Sequence, residues 1–339
     1  MFTQWPSPKK SEKDLKMPVL KSLPLFEVIK AGVQTTVQDL GRHDYLAEGV
    51  PISGAMDFHA LKWGNLILKN PANAPGLEIP FHQFQIVFRN QKVTSVVIIG
   101  DSVNVFLNEV EVLAGVALVV QSEDRLKLSS KVPMTSARTY FCCVGGIEVP
   151  EVLKSKSTYF PGKFGGFSGR ALIAGDLLHT KIYKKLPKQA KAPKIKSPEV
   201  HELQCHPHSS PARIPSAWIK KYLSLRWKVH PQSSRMGIRL MPVDPEIQAR
   251  TLAEVNIPDQ ILSQGAFFGV IQLTPDGTPI ILGADAQTIG GYPIIACVDS
   301  QDLWKCGQWL PGQEIKLKAV RASTRPVKTK PVQLKKRKR

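Results

Sequence analysis

VTSVVIIGDSVNVFLNEVEVLAGVALVV, residues 93–120, contains the runs VTSVVII (Val93–Ile99), VNVFL (Val103–Leu107) and VEVLAGVALVV (Val110–Val120), separated by turn-forming and polar residues. β-Branched residues lose rotamer freedom in helices and pack well on a pleated surface, so short runs of this kind read as strands. IKLKAV (Ile315–Val320) repeats the pattern near the other end of the chain. Strand signals recurring every 8–12 residues or so point to a barrel or sandwich rather than to βαβ units. TPDG (Thr274–Gly277) between VIQL and TPIIL predicts a hairpin, with Pro275 at the first central turn position and Gly277 available for positive φ. One helix is expected in MDFHALKWGNLILKN (Met56–Asn70), where Met56, Ala60, Trp63, Ile67 and Leu68 share a face and Asp57 favours the positive helix end.

With 339 residues, 42% of them apolar, the chain has material for two domains. Its formal charge of +19 is concentrated in flanks and a linker: five Lys up to Lys21, seven in Lys181–Lys196 and eleven Lys and Arg in Lys316–Arg339. What remains is close to neutral, which argues against a folded nucleic-acid reader; the KKRKR tail would bind RNA or acidic lipid only weakly, through accessible charge. The expected organisation is a basic disordered segment at 1–24, a first β domain at 25–182, a Lys/Pro-rich linker at 183–198, a second β domain at 199–320 and a basic tail at 321–339. Five cysteines without a CxxC or a metal-ligand spacing fit a reducing compartment, and no secretory or membrane-spanning apolar run is present, so the expected location is cytoplasmic. No metal site is expected.

VQTTVQDLGRHDYLAEGVPISGAMD (Val33–Asp57) is dense in residues that bend backbone and bind polar groups. On the residues alone, Asp39 pairs with Arg42 across a turn, and Ser53 or Asp57 caps the helix. The ten residues ADAQTIGGYP (Ala284–Pro293) join two apolar runs, and a plain hairpin needs only two to five or so. Here Asp285 can orient or deprotonate, Gln287, Thr288 and Tyr292 can hydrogen-bond an amide or carboxylate, and Gly290–Gly291 can let backbone N–H groups converge on a substrate oxygen. In SSRMGIRL, Arg235 and Arg239 are four residues apart; on a strand both project to one face and could clamp a carboxylate.

The stretch TTVQDLGRHDYLAEGVPISGAMD resembles the opening of the biotin-dependent carboxyltransferase, or allophanate hydrolase subunit 2, family, which includes the C-type subunit of the bacterial ATP-dependent 5-oxoprolinase. YFCCVGGIEVPEVLKSKSTYFPGKFGGFSGRALIAGDLL (Tyr140–Leu178), HPQSSRMGIRL (His230–Leu240) and TPDGTPIILGADAQTIGGYPIIACV (Thr274–Val298) are similar to the family's later blocks, in the same order. The resemblance implies a mainly β fold of two cyclophilin-like β-barrel domains with few short helices. It also implies partners, namely B-like and A-like subunits, and a small amide substrate.

Departures from the family are LKSKST with Lys154 and Lys156 for Leu-Gly-Ser-Arg-Ser-Thr, Gln264 for a glutamate, and Ala286 for an arginine. No G-x-x-x-x-G-K-[ST] loop is present, so ATP is expected mainly on or with partner subunits. No biotin-attachment sequence occurs either, so no covalent biotin is expected on this chain. Asp285, Gln287, Thr288 and Tyr292 are the expected catalytic residues, Arg235, Arg239, Gly290, Gly291, Ser53 and Asp57 the substrate-binding ones, with Asp39, Arg42 and Lys156 as further candidates. The expected activity is ATP-dependent opening of 5-oxo-L-proline to L-glutamate, by a hydrolase active only in complex. The alternatives are a carboxyltransferase half acting on a urea-like or acyl substrate, and a non-catalytic regulatory partner of a kinase-inhibitor-like protein of the B type.

Overall fold

The computed structural model describes residues 19–183, 201–208, 214–258 and 261–320. The expected linker, apart from Tyr183, and the basic tail lie outside the described residues, as do residues 1–18 of the N-terminal segment. The first strand runs from Val19 to Lys30, across the boundary at Leu25 read from composition.

The N-terminal unit comprises strands β1 (Val19–Lys30), β2 (Thr36–Gln38), β3 (Gly76–Pro80), β4 (Phe84–Phe88), β5 (Thr94–Ile99), β6 (Val103–Leu107), β7 (Val110–Val112), β8 (Ala117–Val120), β9 (Arg125–Ser130), β10 (Arg138–Cys143), β11 (Ile147–Glu148) and β12 (Leu177–Tyr183). Helix α1 (Phe58–Ile67) lies between β2 and β3 in sequence. The run Val110–Val120 is two strands, because Gly115 adopts φ +80° and turns the chain. A seven-stranded sheet, β11-β12-β1-β4-β9-β6-β7, and a five-stranded sheet, β2-β3-β10-β5-β8, share a core of Phe26, Ile86 and Leu126 from one and Leu77, Val96 and Phe141 from the other. Phe26 meets Phe141 edge to face at 5.3 Å across that core.

The other face of the five-stranded sheet is covered by α1, whose Leu61 and Ile67 cluster with Val97, Ile99, Tyr140 and Cys142. This explains why β5 is buried on both faces. Adjacent Cys142 and Cys143 point into different cores, and burial pushes the Cys143 thiol up to about 12. The buried side of α1 is built on Ala60, Leu61, Gly64, Asn65 and Ile67, while Trp63 is half-buried. Met56, expected on the helix face, precedes the helix and packs into the core of the second unit.

The second unit comprises β13 (Glu202–Pro207), α2 (Ser216–Leu223), β14 (Arg226–Val229), β15 (Gly237–Pro242), α3 (Pro245–Leu252), β16 (Gln264–Gly265), β17 (Val270–Leu273), β18 (Pro279–Leu282), β19 (Ile289–Gly290), β20 (Ile294–Val298) and β21 (Glu314–Ala319). Seven of its strands close a barrel in the order β13-β20-β17-β18-β15-β14-β21, and β16 pairs with β19 as a separate ribbon. Alternation sorts the faces: Ile238, Leu240, Ile315 and Leu317 point inward, whereas Arg239, Lys316 and Lys318 point to solvent. Trp218, Ile219, Tyr222 and Leu223 of α2 enter the same core, with Trp218 stacked on Tyr222 at 4.7 Å. The expected hairpin joins β17 to β18, with Gly277 at φ +78° and its N–H donating to Thr274 O (2.8 Å). The mainly β architecture with few short helices is thus observed, and among the described residues no helix is long and apolar enough to cross a membrane.

Gly64 is where α1 touches the sheet: a Cβ there would lie 2.5 Å from Cys142 Sγ. Alanine raises helix propensity by about 1 kcal/mol, but overpacking costs about 1–3 kcal/mol. Gly64→Ala is therefore expected to lower the urea midpoint, and adding Cys142→Ala, which deletes the clashing sulfur, to recover part of the loss.

Candidate functional site

Arg235 lies in the turn before β15, closed by Ser234 N–H donating to Gly237 O (3.0 Å), and its carbonyl accepts from Asp285 N (3.0 Å). Its side chain is buried and makes four hydrogen bonds. Nε and Nη2 donate to the two oxygens of Asp285 (2.8 and 3.0 Å), Nη1 to Glu78 Oε1 (2.8 Å) and Nη2 also to Gly54 O (2.8 Å). Asp285 belongs to the barrel and Glu78 to β3 of the N-terminal unit, so one guanidinium ties the two units together. Burial alone would lower its pKa; the charges of Asp285 and Glu78 outweigh burial and raise it above the ordinary value.

Glu78 receives further donors from Arg138 Nε (3.1 Å), Tyr140 Oη (2.6 Å) and Met56 N (2.8 Å). Burial pushes its pKa up, but Arg235 and Arg138 hold it below the usual carboxylate range. Tyr140 Oη in turn accepts from Asp57 N (2.8 Å). Asp57 caps α1 by accepting from Ala60 N (2.9 Å), and its other oxygen accepts from Gln308 Nε2 (2.7 Å) across the seam. Burial pushes the Asp57 carboxyl up to about 6, against the opposing effect of those hydrogen bonds. Gly307 permits this approach: a Cβ there would sit 2.8 Å from Met56 C.

The segments 39–42 and 52–55 run side by side, with Arg42 N donating to Ile52 O (2.8 Å) and Ala55 N to Asp39 O (2.9 Å). Asp39 and Arg42 do not pair as read from the turn. Asp39 instead accepts from Gly41 N (2.8 Å), Lys156 N (2.6 Å), Ser155 Oγ (2.8 Å) and Ser157 Oγ. Arg42, 1% exposed, donates from Nη2 to Ser157 O (2.6 Å) and stacks its guanidinium over Phe164 at 5.0 Å. Burial pulls its pKa below the ordinary value, while the charges of Asp39 and Asp285 act in the opposite sense. Ser53 adopts φ +54° and donates its N–H to Ala284 O (2.8 Å), linking this segment to the 284–293 loop. The Tyr159 phenol feels the same charge, its pKa raised by burial and by Asp285.

The 284–293 loop is packed onto the barrel by a small cluster of Ala266, Val270, Leu282, Ala286 and Ile294. Thr288 is buried, with its carbonyl accepting from Ala266 N (2.7 Å), whereas Gln287 is exposed and Tyr292 half-buried. Gly290 pairs with Gln264 in the ribbon, and Gly291 O accepts from Ile261 N (2.8 Å). A Cβ at Gly290 would lie 2.8 Å from Gln272 Nε2, the end of a flexible side chain.

Arg235 and Arg239 do not share a face. The strand begins at Gly237, so Arg235 lies outside its alternation and turns inward, while Arg239 points to solvent. Lys156 is also apart, bound to Glu148 (3.0 Å) beside a surface hollow of about 490 Å³. The seam thus gathers Arg42, Ser53, Asp57, Arg235 and Asp285. Sequence reading missed Glu78, Arg138, Tyr140, Tyr159 and Gln308. One signal for Glu78 is a lone carboxylate in the apolar strand GLEIP. Among the described residues, no three His, Cys, Asp or Glu gather into a metal-binding group.

Over residues 48–319 the sequence matches the family model described as carboxyltransferase domain, subdomain A and B. The chain belongs to this carboxyltransferase family. The resemblance read from Thr35–Asp57 and the later blocks is thereby confirmed. The chain is 35% identical over 301 residues to the C subunit of 5-oxoprolinase from Escherichia coli K12, covering 86% of this chain and 90% of that protein. It is 32% identical over 311 residues to urea amidolyase of Lachancea kluyveri, covering 86% of this chain but 16% of that protein. Among solved structures, TTHA0988 superposes with a TM-score of 0.75 at 27% identity over 89% of this chain, which spans 57% of the solved chain.

Removing one member of a buried pair leaves uncompensated charge and costs about 3–5 kcal/mol, so Arg235→Met should shift urea unfolding strongly, while Arg239→Met should change stability by less than about 0.5 kcal/mol. Asp57 holds its proton more tightly when folded: from an ordinary value of 3.8 the carboxyl rises to about 6. The stability this contributes is complete below the ordinary value and is lost as pH rises through the folded one. Relative to Asp57→Asn, the natural protein should lose about 3 kcal/mol across that window, measured as the difference between their pH–stability curves.

Proposed function

We propose that this chain is the C-type member of a 5-oxoprolinase-type amidohydrolase, which opens 5-oxo-L-proline to L-glutamate with hydrolysis of ATP and acts with A-like and B-like subunits. The observation that carries this reading is identity: the chain is 35% identical over 301 residues to a 5-oxoprolinase C subunit, against 32% over 311 residues to the urea amidolyase. The seam supports the reading chemically. Its charged groups are buried and preoriented, and such fixed dipoles stabilise developing charge without reorganising.

The sequence carries no G-x-x-x-x-G-K-[ST] loop of the kind that cradles a nucleoside triphosphate. Of the basic side chains in the glycine-rich 154–170 region, Lys154 is paired with Asp44 (3.0 Å), Lys156 with Glu148 (3.0 Å) and Arg170 with Asp176 (2.7 Å), while Lys163 is exposed. We therefore assign ATP to the partner subunits. This chain's task is to hold the cyclic amide, with Gln287 and Tyr292 at the loop surface as contacts to it and with Asp285 fixed by Arg235 beneath them.

A second reading, transfer of a carboxyl group from carboxybiotin supplied in trans to a urea-like acceptor, is favoured by the urea amidolyase match over the same 86% of the chain. Co-purified with A-like and B-like subunits, the chain is expected to release ADP only when 5-oxo-L-proline is present. A well-formed complex without that turnover would reject the hydrolase, and urea-dependent consumption of carboxybiotin would establish the second reading.

A further inference from the structure

Composition places the excess charge of the chain in flanks and a linker, yet the barrel gathers part of it on one outer face. The neighbouring strands β15, β14 and β21 turn Arg239, Arg226, Lys228, Lys316 and Lys318 away from the core, with Glu314 as their one carboxylate. Alternation fixes this arrangement. The residues between them, among them Ile238, Trp227, Ile315 and Leu317, fill the barrel core, so the cations cannot turn inward without a register slip. All but the half-buried Lys228 are exposed.

The face is short of negative charge. Arg226 and Lys316 stand directly opposite each other in the ladder, where like charges repel. Glu314 is shared, accepting from Arg226 Nη2 (2.7 Å) and lying 3.7 Å from Lys228 Nζ. Lys318 reaches across to Glu202 of β13 (3.6 Å). Arg239 and Lys316 have no ion-pair partner among the described residues. Two carboxylates thus face five cations, and the remaining positive charge is presented to solvent on one side of the barrel.

β21 leads from this face, through Val320, into residues 321–339, where nine Lys and Arg occur without an Asp or Glu. Val327, Val332 and Leu334 are spaced among them, and the segment has no aromatic residue and no glycine. The outward side chains of the three strands include no aromatic either. Proteins that hold single-stranded nucleic acid stack bases on aromatic side chains along a basic groove, whereas this face is the outside of a closed barrel without such a platform. An anionic bilayer asks only for accessible cations, with a few aliphatic side chains to enter the headgroup region. We propose that the face formed by Arg226, Lys228, Arg239, Lys316 and Lys318, continued by residues 321–339, docks the chain on a bilayer that carries anionic phospholipids.

Cosedimentation of the full chain with vesicles tests this, using phosphatidylcholine alone, phosphatidylcholine mixed with phosphatidylserine, and single-stranded RNA as a competitor. The chain is expected to bind only the phosphatidylserine vesicles, and less as salt is raised, since the attraction falls off within a Debye length. Each cation near such a surface contributes about fivefold in partitioning, so Arg239→Gln, Lys316→Gln and Lys318→Gln combined, with the tail intact, should lower binding about a hundredfold. The unfolding midpoint should hardly move, because all three side chains point to solvent. Glutamine in place of each residue of Lys335–Arg339 should weaken binding as well, leaving a remainder that the three face substitutions abolish. Lys316→Arg, which keeps the charge, should bind as the natural chain does. The docking face is overturned if phosphatidylserine adds nothing over phosphatidylcholine, or if the triple face variant binds as the natural chain does, which would leave the tail acting alone. It is also overturned if RNA at equal phosphate concentration strips the chain from the vesicles, which would make nucleic acid the occupant.

Discussion

The two units are held in register by one buried guanidinium with carboxylates on both sides. Arg235 cannot shed its charge, so its desolvation has to be balanced by groups already in place, and these come from opposite units, Asp285 from the barrel and Glu78 from β3. Glu78 then spreads the constraint through Arg138, Tyr140 and Met56 to the start of α1. Every member is hydrogen-bonded to the next, as a polar network in a low-dielectric interior requires. Loss of any one would take a hydrogen bond from a buried neighbour.

This network explains why the site is a seam and not a pocket within either unit. The N-terminal unit contributes the segments around Arg42, Ser53 and Asp57; the barrel contributes the 284–293 loop and the 3-10 turn at Leu303–Gln308. Asp285, read from the sequence as a group that orients or deprotonates, has both oxygens on Arg235, so its charge is fixed in position. Ala286, where the family often has arginine, closes a small apolar cluster under the loop. Gln264, in place of a glutamate, leaves its Nε2 buried and unpartnered. These two departures lie on the barrel side of the seam, whereas Arg42 and Asp39 are bonded to the Ser155–Ser157 segment on the other.

The features legible in the amino-acid order are local. β-Branched runs marked the strands at Val93–Val120 and Ile315–Val320, TPDG marked its hairpin, and Asp57 marked the start of α1, because strand period, turn φ and helix caps act over a few residues. The family blocks also pointed to Arg42, Ser53, Arg235 and Asp285. Only the tertiary structure decided what these residues do. Arg235 faces inward and Arg239 outward because the strand starts between them, a boundary that spacing alone does not reveal. Asp39 passes over Arg42 three residues away for serines more than a hundred residues along the chain, and Glu78 meets Arg235 from the other unit. Charge and hydrogen-bond satisfaction in a buried seam depend on which distant groups share a small volume, and chain closure, not local propensity, sets that.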